Sequence, residues 1–185
     1  MRNFIIFGPP GAGKGTQAQR IADALDLKHL STGALLREEV SRQTNIGQRV
    51  QDLMAKGELV DDNIVDEIIK NKVENSGQVA GFIFDGYPRT ISQANYLDVL
   101  LAAKALPLIL NLEVSAEELS KRLILRGQTT GRADDNQETI KNRLIIYQQQ
   151  TQPLLDFYAS QKRLISVDGQ GEIEEVYRRL SDQIK

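Results

Sequence analysis

The stretch from Gly8 to Thr16, GPPGAGKGT, constrains this chain more than any other. It follows an apolar run, NFIIF (Asn3 to Phe7), and precedes a segment in which Ala18, Ile21, Ala22 and Leu25 recur at helical spacing. A strand, a glycine-rich turn and a helix in that order make a phosphate-binding loop. Gly8, Gly11, Gly13 and Gly15 permit a tight turn whose backbone N–H groups converge on phosphate oxygens; the helix start adds a partial positive charge and Lys14 a full one. A glycine-rich turn alone is often only a turn, but the strand before, the helix after and Lys14 weigh against that here. The usual pattern places Ser or Thr directly after the lysine. Here Gly15 stands there and the hydroxyl arrives one residue later, at Thr16. Either Thr16 takes over the usual hydroxyl contact to magnesium, or the ion is held largely through water.

Four more short apolar runs follow: LKHLS (Leu27 to Ser31), FIFD (Phe82 to Asp85), LILNLEV (Leu108 to Val114) and RLISVD (Arg163 to Asp168). They do not alternate with polar residues, which suits strands covered on both faces. Helical patterns lie between them. Asp62 is placed to cap a helix carrying Ile64, Val65, Ile68 and Ile69, and Ser115 with Glu118 reads as a capping box. Strand and helix alternation predicts an α/β fold: a doubly wound parallel sheet of about five strands with helices on both faces. At 185 residues the chain suits a single domain with room for excursions, and no composition shift divides it.

Composition narrows the chemistry. With no cysteine, disulfides, thiolate zinc sites and cysteine nucleophiles are excluded. The lone histidine, His29, has no second histidine to complete a metal site or triad and is given no function. A net charge of −2 argues against general nucleic-acid binding. No run approaches the roughly 20 apolar residues that span a bilayer, and FIIF is too short for a secretory signal, so a cytoplasmic protein is expected.

Arginines recur near the other motifs: Arg37 in LLR, Arg89 in GFIFDGYPRT, Arg122 and Arg126 four apart on one helix face, and Arg132 and Arg143 around ADDNQETIKN. Any one of them reads most simply as a solvated surface residue; as a set beside a phosphate loop they read as anion ligands. Asp85 ends an apolar strand, where a carboxylate reaches either a metal or a turn. Taken in order, GPPGAGKGTQA, STGALLREEV, KGELVDD, GFIFDGYPRT, LILRG, GRADDNQETIKNRL and VDG resemble the adenylate kinase family over nearly the whole chain. The lysine-glycine-threonine order belongs to that pattern.

The resemblance implies one kinase domain over residues 1–185, with a helical monophosphate-binding insert at 31–60 and a short lid at 126–132. It implies reversible phosphoryl transfer from ATP to AMP giving two ADP, in a monomer, with Mg2+. ATP would lie on Gly11, Ala12, Gly13, Lys14, Gly15, Thr16, Arg126 and the backbone of Gly171. AMP would lie among Thr32, Arg37, Glu58, Leu59, Val60, Gly86, Tyr87, Pro88, Arg89, Gln93, Arg132 and Arg143. Lys14, Arg89, Arg122, Arg132 and Arg143 would gather around the moving phosphoryl group. Asp85, and Thr16 if its hydroxyl serves, would help hold the metal; Asp134 and Asp135 either join the site or start the next helix. In this chain Ala34 replaces the acid of the family's STGDLLR, which removes a carboxylate partner for the lid. Only GQTTG separates Arg126 from Arg132, leaving no room for a long lid insert. Alternatives are a UMP/CMP kinase, a non-catalytic AMP sensor, and a nucleotide switch; against the switch, NKVE (Asn71 to Glu74) ends in the wrong acid for guanine recognition.

Overall fold

The computed structural model describes residues 1–130 and 136–184. Five strands, β1 (Arg2–Phe7), β2 (Lys28–Ser31), β3 (Gly81–Asp85), β4 (Leu108–Glu113) and β5 (Leu164–Asp168), form one wholly parallel sheet in the order β2-β3-β1-β4-β5. Each strand end falls within one residue of the apolar run that predicted it. The reason is visible in the core. Along β1, Ile5 and Phe7 enter a cluster on one face with Phe82, Phe84 and Ile109, while Phe4 and Ile6 enter a second cluster on the other face with Ile83 and Leu110. Both faces of the sheet need apolar side chains, so the runs do not alternate.

The described helices are α1 (Lys14–Leu25), α2 (Thr32–Ser41), α3 (Asn45–Lys56), α4 (Asp62–Glu74), α5 (Ile91–Leu101), α6 (Ala116–Thr130), α7 (Gln137–Ile146), α8 (Pro153–Ser160) and α9 (Ile173–Gln183). α1 and α9 bury Ala18, Ile21, Ala22, Val176 and Leu180 against one face. α4, α5 and α8 bury Val65, Ile69, Leu97, Leu101, Leu154 and Tyr158 against the other. Truncating a fully buried residue such as Leu97 or Leu101 to Ala removes about 2–5 kcal/mol of stability. Among the described residues no helix is long and apolar enough to cross a membrane.

Two helix starts differ from expectation. The N-cap of α4 is Asp61, whose side chain accepts from the Asn63 N–H at 3.0 Å. Asp62 is already inside the helix and turns its carboxylate toward α5. At α6 the Ser115 hydroxyl accepts from the Glu118 N–H at 3.4 Å, but the Glu118 carboxylate accepts from Arg122 Nε at 2.7 Å instead of serving a capping box. Between α7 and α8, Tyr147–Thr151 forms a π-helical turn in which the Gln152 N–H reaches the Tyr147 carbonyl. Pro153 follows with no N–H to continue an α-helical ladder.

β1 sits centrally, with β3 on one side and β4 on the other. The chain winds outward in both directions from it, so the loop after β1 opens into the crevice where doubly wound sheets bind ligands.

Candidate active site

The loop from Gly8 to Gly13 leaves β1 and enters α1. Gly11 and Gly13 both have φ of 88°, in the left-handed region where an L side chain is strained, and Gly13 is the N-cap of α1. Gly15 has another reason to be glycine. A Cβ there would lie 3.3 Å from Asp85 Oδ2, so the position that usually carries a hydroxyl faces the carboxylate at the end of β3. Lys14 Nζ donates to the carbonyls of Gly8 at 2.7 Å and Pro9 at 3.0 Å, which leaves one of its three protons for another acceptor.

This loop lines a cleft of about 1170 Å³. Gly11, Ala12, Gly13, Lys14, Gly15 and Thr16 line it, with Asp85 beside them. Thr32, Arg37, Glu58, Leu59, Val60, Gly86, Pro88, Arg89 and Gln93 line the same cleft. Arg122, Arg126, Arg143 and Gly171 complete it from α6, α7 and the loop after β5. Tyr87 does not line the cleft. Its ring is fully buried, and its hydroxyl donates to Asp66 Oδ1 at 2.5 Å. Arg132, Asp134 and Asp135 lie outside the described residues, as does the end of the expected lid at residues 131–132.

The charges in this cleft perturb one another. Burial lowers the Lys14 pKa from 10.5 to about 8; Asp85 works against that, and Arg89, Arg143 and Arg126 add to it. Burial by itself would raise the Asp85 carboxyl, but His29, Lys14 and the Ser31 hydroxyl outweigh it and hold it below the usual carboxylate value. The Ser31 hydroxyl donates to Asp85 Oδ2 at 3.2 Å. Arg122 is fastened in place: Nε donates to Glu118, and its two terminal nitrogens donate to the carbonyls of Gly169 at 3.1 Å and Gly171 at 3.2 Å. Arg89 Nε donates to the Gly86 carbonyl at 2.9 Å, and the Arg89 carbonyl accepts from the Thr151 hydroxyl of the π-helical turn.

Two side chains beside the cleft were given no site role from the sequence. His29 lines the cleft with Nδ1 3.0 Å from Gln19 Oε1 and Nε2 3.9 Å from Asp85 Oδ2. Asp62 accepts from Thr90 Oγ1 and from Gln93 Nε2, each at 2.7 Å. For Asp62 a hint existed in the doublet Asp61-Asp62, since a single N-cap needs one acid.

Comparison with known proteins agrees with this geometry. The model of the family described as Adenylate kinase matches residues 6–163. An adenylate kinase of Parabacteroides distasonis is 42% identical, with 100% of this chain and 98% of the relative covered. One of Phenylobacterium zucineum is 45% identical over 94% of this chain and 93% of its own length. One of Methanosarcina barkeri is 40% identical, covering 99% and 98%. With a glycine-rich loop and several basic side chains lining one cleft on a doubly wound sheet, and with relatives matched from end to end, this chain belongs to the adenylate kinase family.

Proposed function

We propose that the protein transfers the terminal phosphoryl group of ATP to AMP, reversibly, giving two ADP, and so balances the adenine nucleotides. The observation that carries this reading is one cleft lined by the glycine-rich loop, by residues from Thr32 to Gln93, and by Lys14, Arg89, Arg122, Arg126 and Arg143. Phosphoryl transfer asks for two phosphate chains held in line and for neutralised charge on the moving group. The bond from the terminal phosphorus of ATP to its bridging oxygen breaks as an AMP phosphate oxygen bonds to that phosphorus. No residue is phosphorylated along the way.

In this reading the loop N–H groups from Gly11 to Thr16 and Lys14 hold the ATP phosphates, Arg126 meets the same nucleotide, and Gly171 faces its base. Arg37 and Arg89 hold the AMP phosphate, and Thr32, Gln93 and the segment Glu58 to Val60 surround its adenine. Arg122, Arg132 and Arg143 complete the field around the phosphates. Residues 31–60 act as the monophosphate insert and 126–132 as the lid that keeps water out.

The residues present fit Mg2+. Among the described residues no cluster of three or more His, Asp or Glu could hold an ion by itself. Mg2+ in this reading keeps several waters and takes its other ligands from the nucleotide phosphates. Asp85, held ionised beside Gly15, is the carboxylate that would steady it, with Thr16 next to it in the loop. When bound, the ion neutralises phosphate charge and orients the oxygens. In this reading the protein acts as a monomer in the cytoplasm.

The test is initial rate of ADP formation from ATP against a panel of monophosphates. AMP should exceed CMP and UMP by at least about 10²-fold in kcat/KM, because a pocket built to hydrogen-bond one base leaves buried groups unpaired with another. Equal rates with CMP or UMP would replace this reading with a pyrimidine kinase, and no ADP at all would leave an AMP sensor.

A further inference from the structure

Gln93 is buried, at 3% exposure, yet it lines the cleft, and its amide is held at both ends. Nε2 donates to Asp62 Oδ1 at 2.7 Å, and Oε1 accepts from the Arg89 backbone N–H at 2.7 Å. Asp62 is itself anchored, since its other oxygen accepts from the Thr90 hydroxyl at 2.7 Å. That hydroxyl in turn accepts from the Gln93 backbone N–H at 3.2 Å, which obliges it to donate toward Asp62. A carboxylate only accepts and a backbone N–H only donates. The amide therefore has one permitted sense: turning it over would set its oxygen against the carboxylate and its NH2 against the Arg89 N–H.

Each amide end keeps one further position. Nε2 has a second proton and Oε1 a second lone pair. We infer that Asp62 is a specificity-determining positioning residue, which locks the Gln93 amide in the sense that reads a 6-aminopurine monophosphate and rejects a 6-oxopurine monophosphate. This rests on the reading that Gln93 faces the base of the monophosphate. The 6-aminopurine edge offers an acceptor at N1 and a donor at the exocyclic nitrogen, which pair with Nε2–H and Oε1. The 6-oxopurine edge offers a donor at N1 and an acceptor at O6, the reverse order. An unrestrained glutamine would turn over to suit either, at little cost; this one is held by a charge-assisted hydrogen bond. The anchoring carboxylate comes from α4, outside the segment that carries Gln93, and replaces the capping role its position suggested.

The experiment compares AMP with inosine monophosphate, which differs at N1 and C6 alone, in the wild type and in Asp62→Asn. Asn can present either a donor or an acceptor to Gln93, which leaves the Arg89 backbone N–H as the remaining restraint on the amide, so the ratio of kcat/KM for inosine monophosphate to that for AMP should rise by about tenfold, the gap between a hydrogen bond to a charged group and one to a neutral group. The change should sit in KM for the monophosphate and leave KM for ATP unmoved. A general loss of structure would lower both monophosphates equally, and an unchanged ratio overturns the inference. Should Asp62→Asn fail to fold, Thr90→Val is read in the same assay. It keeps the Asp62 charge and removes its second anchor; the ratio should move the same way, and a fixed ratio again overturns the inference. Gln93→Leu separates the two levels of argument. A KM for AMP that it leaves unchanged sinks the placement of Gln93 at the base; a raised KM with no Asp62 effect sinks the lock alone.

Discussion

Lys14 should make nucleotide binding take up a proton. In the free protein its pKa is lowered to about 8, by burial first and then by Arg89, Arg143 and Arg126, against the pull of Asp85. A phosphate chain laid on the loop adds negative charge beside the ammonium and moves the group back toward 10.5 or above. The sign follows by linkage. Binding favours the protonated form, so affinity falls as pH rises through the free value. At pH 8 about half the free molecules carry the proton and at pH 9 about one in eleven, so affinity should drop about fivefold over that unit. The phosphates do not confuse the result, because their second ionisation lies near pH 6, well below this range. Isothermal calorimetry of ATP binding at pH 8 and 9, in two buffers of different ionisation enthalpy, should report uptake of about half a proton and then nearly one. Lys14→Arg supplies the control, since a guanidinium stays charged throughout and should bind without proton uptake. Uptake near zero in the wild type, or the same uptake in Lys14→Arg, would refute the electrostatic account of this loop.

Lys14→Met should lower turnover by at least about 10²-fold in a fold that survives, the scale of losing one charge contact to the transition state; steady-state rates alongside circular dichroism decide it. Gly15→Ala places a methyl against the Asp85 carboxylate and should cost about tenfold or more in turnover through misplaced geometry, with the deficit read as a shift in the magnesium dependence of rate. Gly47→Ala drives a Cβ into the Glu39 carbonyl, where α3 crosses the end of α2, and should destabilise by about 1–3 kcal/mol. Thermal unfolding should then show about 2–4 °C lost per kcal/mol, and an unchanged midpoint would contradict the packing described.

The sheet was legible because burial on both faces leaves a mark on every residue of a strand, as Phe4 to Phe7 show by feeding the two cores in turn. Helix ends were less legible. Asp61 and Asp62 are equally good caps by type, and the choice between them is made by Thr90 and Gln93, far away in sequence, which draw Asp62 out of the capping position. Glu118 departs from its capping box for the same kind of reason, drawn along the helix by Arg122. Local rules name the candidates for a cap, and tertiary partners choose among them.

The site divides along the same line. The loop from Gly11 to Thr16 lines the cleft as one contiguous stretch whose glycines and lysine carry their chemistry in the spacing, so its place at the cleft was legible directly. The other lining residues come from α2, the segment after α3, the turn after β3 and α5, and no spacing joins them; Arg37 and Arg89 stood out as part of a set of arginines, and the resemblance supplied the rest. His29 shows what local sequence leaves out: it lies opposite Ile83, two residues before Asp85, and the pairing of β2 with β3 brings its ring 3.9 Å from the Asp85 carboxylate. A register of that kind is set by the sheet, not by local sequence. The same holds for Gly15. Sequence alone made it a missing hydroxyl, whereas in the fold it is the space that lets the Asp85 carboxylate stand against the glycine-rich loop, with Lys14 and His29 keeping that carboxylate charged. The glycine and the acid are one feature, shared between α1 and β3.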